Sequence, residues 1–222
     1  MRRHVRFLAL LAALCLSATP SAAEGPDCVV VDDFSRATVG EFPAGWQPRK
    51  EAGKAIYRIA EEGGVRFLRA TAVGLGIQAG RNQEWDLTKY PVLTWSWRPR
   101  VFPRGADERE AGTNDSVLAV YMIVPHSRIT GPKAVKYIWS ERVPEGTRLS
   151  SNMNLTQVRV LRSGAAAGND WTDEGVNVLD DFMKYFGTTT PPKPAGIAVL
   201  TDSDDTRSRA EGDYANFRAC RS

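Results

Sequence analysis

Carboxylate side chains are the residues of this sequence whose type and spacing most readily suggest chemistry. Asp107 lies in a long polar loop, Asp115 immediately precedes an apolar run, and Glu141 follows another such run. Enzymes that cleave glycosidic bonds use a pair of carboxyl groups, one as a general acid and the other as a base or nucleophile. Asp107, Asp115 and Glu141 are therefore the candidate catalytic residues if the chain is an enzyme.

A further carboxylate cluster follows the apolar run at residues 195–201. It contains Asp202, Asp204 and Asp205, and closely spaced carboxylate oxygens suit Ca²⁺, the one cofactor that the sequence suggests. The cluster is not a helix–loop–helix calcium loop, because Arg207 occupies the position where that loop requires glycine. Two interpretations remain, an irregular Ca²⁺ site and a turn stabilised by hydrogen bonds to aspartate side chains.

Aromatic residues alternate along two of the predicted strands. Period-two alternation places Trp95 and Trp97 on one face of the first strand and Arg98 on the other, and Tyr137 and Trp139 share a face of a later strand. An exposed aromatic face on a sheet can stack against sugar rings. The alternative is that these side chains fill the core between two sheets, since large aromatic residues dominate many cores.

The elements that must position these residues are mostly strands. Alternating or β-branched runs at residues 28–34, 54–60, 65–73, 92–98, 116–124, 134–140, 155–162, 195–201 and 213–219 predict about nine or ten strands. A helical pattern covers residues 174–186, with Asp173 as its predicted N-cap and Gly187 at its C-terminal end. The sequence therefore predicts an all-β, two-sheet, jelly-roll-like sandwich with one helix.

The N-terminus has the layout of a cleavable secretory signal. A cationic start precedes an apolar run over residues 7–16, and Ser21-Ala22-Ala23 offers the small residues of a cleavage site. The apolar run has about half of the roughly 20 residues that span a bilayer, so no stable membrane anchor is expected. We expect residues 1–23 to be removed and residues 24–222 to form a single domain in the periplasm or outside the cell.

Two cysteines remain after this cleavage, Cys28 and Cys220. In an oxidising compartment they are a plausible disulfide pair, the alternative being two buried thiols. A bridge between them would constrain the unfolded chain by about 5 kcal/mol on the chain-entropy model. It also requires the first and last strands to lie side by side.

Several classes of function lack the residues they need. His126 is the one histidine that survives cleavage, which disfavours hydrolytic triads and zinc sites. No glycine-rich phosphate loop occurs. Loss of Arg2, Arg3 and Arg6 from the 29 basic residues leaves as many basic as acidic side chains, 26 of each. A nucleic-acid-binding protein needs a basic surplus, so nucleic acid is not an expected partner.

An ordered series of short motifs resembles the bacterial exported family known as domain of unknown function 3047. The resemblance implies a jelly-roll-like sandwich similar to carbohydrate-binding modules and galactose-binding-like domains, and it implies no activity. Asn114-Asp115 stands where the family has paired aspartates, and Asp205 replaces an asparagine, so both loops depart from the family pattern. The matching segments are VDDFS (31–35), FPAGW (42–46), YPVLTWSWR (90–98), AD (106–107), ND (114–115), VY (120–121), YIW (137–139), NVLDDFMKYFG (177–187) and IAVLTDSDDT (197–206).

Together these features favour a non-catalytic binding module for a saccharide or another cell-envelope polymer. In this hypothesis the four aromatic residues named above supply stacking surface, while Arg98 and Asp115 make polar contacts. The alternatives are a carboxylate-dependent glycoside-cleaving enzyme and an envelope scaffold with protein partners. The sequence carries no indication of oligomeric state.

Overall fold

A computed structural model describes residues 27–164 and 170–221. The predicted signal at residues 1–23 lies outside these residues. No helix in the described ranges is long and apolar enough to cross a membrane. The described elements are β1 (Cys28–Asp32), β2 (Trp46–Pro48), β3 (Tyr57–Glu62), β4 (Val65–Val73), β5 (Ala79–Asn82), β6 (Val92–Val101), β7 (Leu118–Ser127), β8 (Gly131–Ser140), β9 (Arg148–Ser151), β10 (Thr156–Ser163), β11 (Thr172–Asn177), the helix α1 (Val178–Phe186), β12 (Gly196–Leu200) and β13 (Arg209–Cys220), with short 3₁₀ helices at Glu51–Ala55 and Ala111–Thr113.

The strands form two sheets that pack face to face. One sheet has the order β11-β6-β13-β4-β3, with β1 paired to β13, and the other has the order β2-β5-β12-β7-β8-β10-β9. We call them the six-stranded and the seven-stranded sheet. Neighbouring strands run antiparallel except for β8 and β10, which are parallel. The predicted two-sheet, jelly-roll-like β-sandwich with one helix is confirmed.

Four aromatic side chains join the two sheets at the centre of the core. Trp95 and Trp97 point inward from β6, while Tyr137 and Trp139 point inward from β8, and each is at most 4% exposed. The ring centroids of Trp95 and Tyr137 are 5.8 Å apart, and those of Trp97 and Trp139 are 5.7 Å apart. Alternation along β6 places Arg98 on the opposite face, as the sequence predicted.

The helix is shorter than its sequence pattern predicts. Residues 174–177 belong to β11, where Val176 pairs with Leu93 of β6, and α1 begins at Val178. Asn177, rather than Asp173, is the N-cap, because its side chain accepts a hydrogen bond from the Asp180 amide at 3.0 Å. The C-terminal end is as predicted, since Gly187 adopts the left-handed conformation that closes a helix.

The disulfide closes the chain as predicted. Cys28 of β1 lies directly opposite Cys220 of β13 in the antiparallel pair, and their sulfur atoms are bonded. The bridge spans 192 positions of the sequence. It therefore ties the N-terminal strand to the strand at the centre of the six-stranded sheet.

Replacing Cys28 and Cys220 together by serine is expected to lower the free energy of unfolding by up to about 5 kcal/mol, since the unfolded chain is then no longer closed into a long loop. Denaturant unfolding of the variant and the parent measures the difference. Adding a reductant should destabilise the parent and leave the variant unchanged. Equal stability of the two proteins would contradict the prediction.

Trp97→Ala is expected to cost about 3–5 kcal/mol of unfolding free energy, because it leaves a cavity where two sheets meet. Trp171→Ala is the matched control, since that indole is 36% exposed on the outside of the six-stranded sheet, and its loss should cost clearly less. Urea unfolding checks both. If Trp97→Ala kept the parent's stability, the inter-sheet contact would not be the core that we describe.

Candidate functional site

The structure corrects the hypothesis that the aromatic residues form a stacking surface. Trp95, Trp97, Tyr137 and Trp139 face the opposite sheet, so a polymer in solution has no access to their rings. The polar ends of the last three are held inside the protein. Trp97 Nε1 donates to Glu174, Trp139 Nε1 donates to the Gly164 carbonyl, and the Tyr137 hydroxyl donates to Asp181. These residues stabilise the sandwich.

The Arg98 side chain is also held by contacts within the protein. Its Nε donates to Asp213 at 2.7 Å and its Nη2 donates to Glu62 at 2.6 Å. Its guanidinium lies 4.5 Å from the centroid of the Trp171 ring and 5.1 Å from that of Phe67. A side chain so fully engaged is not available to contact a ligand, which corrects the second part of the hypothesis.

The outer face of the seven-stranded sheet carries an open groove of about 540 Å³. Strand register places its floor in two rows that cross the sheet. The first row consists of Asn82, Gly196, Ile123, Ala134, Thr156 and Ser151, and the second begins with Gly80, Ala198 and Tyr121. Several floor residues are glycine or alanine, so a ligand can approach the backbone of the sheet closely.

Loops from both edges form the walls of this groove. Thr130 from the β7–β8 connection and Gly131 and Pro132 at the start of β8 stand at one end, together with Asn152 from the β9–β10 turn. Arg49, Gln78 and Arg81 line another part of the wall. The walls therefore offer guanidinium, amide and hydroxyl groups around a floor of small residues.

The remaining part of the same face is covered. Ala119, Ile138, Val160 and Leu200 occupy the third row of the sheet, and they form a buried apolar cluster with Val143 from the loop after β8. The β6–β7 loop is held to β8 as well, because the Ser140 hydroxyl donates to Glu108 Oε2 at 2.5 Å.

A buried lysine and two buried acids lie between the groove and the covered part. We call Tyr121, Lys136, Glu108 and Asp202 the acid–lysine cluster; each is at most 8% exposed. Lys136 Nζ lies 5.6 Å from the centroid of the Tyr121 ring, which also lines the groove. One oxygen of each acid, Glu108 Oε1 and Asp202 Oδ1, has no hydrogen-bond partner in the described structure.

Burial dominates the electrostatics of this cluster. It raises the pKa of Glu108, although Ser140 and Lys136 act in the opposite direction. Burial, assisted by the neighbouring Asp204, raises the pKa of Asp202 to about 9 against the opposing effect of Lys136. Burial alone would lower the pKa of Lys136, but Tyr121, Asp202 and Glu108 together raise it.

The three candidate catalytic carboxylates occupy other environments. Asp107 pairs with Arg109, which lowers its pKa to about 2. Asp115 is fully buried and binds the β12–β13 loop, since its carboxylate accepts the Thr206 amide at 2.8 Å and the Asp205 amide at 3.2 Å. Glu141 lies beside Arg142, 3.8 Å from its Nε. Asp115 thus has the contacts of a structural residue, whereas a catalytic role of Asp107 or Glu141 stays a prediction.

Asp115 nevertheless belongs to a carboxylate group that the sequence predicted in part. We call Asp115, Asp202, Asp204 and Asp205 the aspartate cluster. Ligand oxygens of Asp115, Asp204 and Asp205 all lie within 4.8 Å of one another. Asp202 is the buried member that this cluster shares with the acid–lysine cluster.

The sequence did not predict a site role for Glu108, Lys136 or Tyr121, nor the groove. A signal for them exists, because β7 and β8 are apolar on both faces rather than on one. Strands of that kind are covered on both sides. Lys136 is the charged residue among the outward-facing residues of β8. A lysine in a covered position indicates that a partner group lies nearby, because lysine is rarely buried unpaired.

A comparison with known protein families shows to which family this chain belongs. A family model described as a protein of unknown function (DUF3047) matches residues 44–218. The chain belongs to the DUF3047 family. No curated protein matches the chain.

Several solved structures are similar to this DUF3047 chain at low sequence identity. A thermostable cellulase derived from that of Rhodothermus marinus is 11% identical, with a TM-score of 0.43, over 81% of this chain and 98% of that one. The xyloglucanase domain of NopAA from Sinorhizobium fredii is 10% identical, with a TM-score of 0.38, over 81% and 94%. The family 11 xylanase from Neocallimastix patriciarum is 13% identical, with a TM-score of 0.36, over 78% and 94%. Similarity at this level carries no inference about function.

Glu108→Gln is expected to change the pH dependence of stability. Because burial raises the pKa of Glu108 above its ordinary value of 4.5, the folded protein keeps a proton there that the unfolded chain releases. The free energy of unfolding therefore falls as the pH rises from the ordinary pKa of 4.5 towards the raised pKa of Glu108. The decrease is about 1.4 kcal/mol per pH unit between these two values. Glutamine has no such proton, so the variant should gain stability relative to the parent as the pH rises.

Urea unfolding between about pH 4 and pH 8 measures this difference. The exposed Glu110→Gln on the same loop is the matched control and should give a profile parallel to that of the parent. A parallel profile for Glu108→Gln would contradict the assignment of a raised pKa.

Proposed function

We propose that this DUF3047 protein is an exported saccharide-binding protein, and that the polymer lies in the groove on the outer face of the seven-stranded sheet. The observation that carries the proposal is the composition of the groove, which combines a floor of small residues with walls of amide, guanidinium and hydroxyl groups. Sugars need such groups to pair with their hydroxyls. The proposed binding surface is therefore this groove and not the aromatic faces, which are buried.

The floor suits the flat shape of a sugar ring. Gly80, Gly196, Ala134 and Ala198 keep large side chains off the middle of the sheet, and the largely buried Tyr121 lies beside them. Close approach to the backbone is possible where side chains are absent. The two rows cross several strands, which favours an extended ligand over a compact one.

The charge of the groove favours an acidic saccharide. Arg49 and Arg81 are the charged residues that line it, and no carboxylate lines it within residues 27–164 and 170–221. The Arg81 guanidinium donates to the Val31 and Ala44 carbonyls and lies 3.3 Å from Asp32. Arg49 is exposed and is therefore the guanidinium that an acidic group would meet first. Guanidinium groups bind carboxylate and sulfate groups through two parallel hydrogen bonds. We therefore expect polymers with acidic groups to bind more tightly than neutral ones.

The far end of the groove carries further features typical of a binding surface. Ile129 is 96% exposed and Met153 is 78% exposed, next to the wall residues Thr130 and Asn152 respectively. Asn152, Met153 and Asn154 all have positive φ angles, between 51° and 66°. Backbone strain of this kind concentrates at ligand-binding sites.

The disulfide bond supports the proposal that the protein is exported. Disulfides persist in oxidising compartments and are rare in the cytosol, and the Cys28–Cys220 bridge is present. An exported protein with such a groove would encounter the saccharides of the cell envelope or of the surroundings.

Gly80→Phe is expected to abolish saccharide binding while preserving the fold. A Cβ atom at Gly80 would meet its nearest neighbours at 3.6 and 3.9 Å, which are ordinary contacts, so the ring would project into the groove. Gly175→Phe on β11 of the other sheet is the matched control, since its nearest contacts would be 3.8 and 3.9 Å. Isothermal titration with neutral and acidic oligosaccharides measures both variants.

The expected result is at least about a tenfold loss of affinity in Gly80→Phe, corresponding to about 1.4 kcal/mol, with Gly175→Phe binding like the parent. Equal loss in both variants would show that the groove is not the binding site. Absence of binding by the parent across neutral and acidic oligosaccharides would contradict the proposed function itself.

A further inference from the structure

Three separate parts of the chain meet at the aspartate cluster. Asp115 comes from the β6–β7 loop, while Asp202, Asp204 and Asp205 come from the β12–β13 loop. Gly76, between β4 and β5, lies against them: a Cβ atom there would stand 2.1 Å from Asp202 Oδ1 and 2.5 Å from Asp204 Oδ1. The absence of a side chain at Gly76 therefore lets these two oxygens face each other in the same small space.

We propose that the aspartate cluster is a Ca²⁺ site, with Asp115, Asp204 and Asp205 as its ligands and Asp202 Oδ1 directed towards the ion. The sequence-based assignment named the three aspartates of one loop. The structure adds Asp115, which is about ninety positions away in the sequence, and the site thereby joins two loops.

The spacing of the oxygens fits this ion. Oxygen ligands bind Ca²⁺ at 2.3–2.6 Å, so two ligands of one ion lie at most about 5 Å apart. Oxygens of Asp115, Asp204 and Asp205 all lie within 4.8 Å of one another. The donors are all carboxylate oxygens, with no histidine or cysteine in the cluster, which favours Ca²⁺ over zinc or copper.

A second observation also favours a cation at this cluster. Asp202 is only 8% exposed, and its Oδ1 has no hydrogen-bond partner in the described structure. A buried carboxylate oxygen without a partner costs free energy. Since this oxygen faces Asp204 across Gly76, a cation held by the cluster would satisfy it.

The hydrogen bonds of Asp115 are compatible with ion binding. Its Oδ1 accepts the Asp205 amide, and its Oδ2 accepts the amide and the hydroxyl of Thr206. A carboxylate has about four lone-pair positions, so the same group can hold the loop and contact an ion. These bonds also hold the backbone of the β12–β13 loop in place around the site.

Titration of the purified protein with Ca²⁺ alone, by calorimetry and by thermal unfolding, tests the site. We expect one Ca²⁺ per chain and a Tm that rises with Ca²⁺ and falls on addition of a chelator. Asp204→Asn and Asp205→Asn change exposed side chains and should each weaken binding by at least about tenfold, because each removes a ligand charge. The exposed Glu84→Gln, in the loop after β5, is the control and should bind like the parent.

Asp115→Asn is not the decisive variant, because it also weakens the contact that holds the β12–β13 loop. Three results would each overturn the proposal: no binding at Ca²⁺ concentrations up to about 10 mM, well above the weakest range of extracellular Ca²⁺ modules; unchanged affinity in both Asp204→Asn and Asp205→Asn; or equal affinity for Mg²⁺. The Ca²⁺ titration contains no saccharide, so loss of saccharide binding in Gly80→Phe would leave this test unaffected.

Discussion

The contact between the aromatic side chains of the two sheets is the interaction on which the rest of the structure depends. Trp95 and Trp97 meet Tyr137 and Trp139 across the core, with ring centroids less than 6 Å apart in both inter-sheet pairs. Buried aromatic rings contribute large apolar areas and prefer tilted or edge-to-face arrangements. This contact determines the inner faces of β6 and β8, and therefore which side chains remain on the outer faces.

The outer faces of the two sheets have different characters. On the six-stranded sheet, Asp213 is fully buried beneath the guanidinium groups of Arg69, Arg98 and Arg100. A buried carboxylate requires such partners, because an unpaired buried charge is costly. On the seven-stranded sheet, the part of the outer face that loops cover is apolar. The uncovered part has a floor of small residues and polar walls. The groove is the uncovered part, so the reach of the covering loops determines its extent.

The β6–β7 loop connects the proposed functional features. Glu108 on this loop contacts Ser140 of β8 and belongs to the acid–lysine cluster, and Asp115 near its end holds the β12–β13 loop. Asp202 belongs to both the acid–lysine cluster and the aspartate cluster. A change at the proposed cation site would therefore act on side chains that also adjoin Lys136 and, through Tyr121, the groove.

Local patterns were enough to predict most of the longer strands, the two faces of β6, the C-terminal end of the helix and the pairing of Cys28 with Cys220, because alternation, capping and a single cysteine pair need no knowledge of distant contacts. They did not predict β2, β5, β9 and β11. Alternation cannot tell, however, whether a face meets another sheet or solvent, and so the tryptophan face was open to two interpretations. The groove depends on the register of neighbouring strands, and the aspartate cluster joins residues about ninety positions apart in the sequence. Those features were decided by the tertiary structure alone, because pairing register and loop packing arise from contacts between segments that are far apart in the chain.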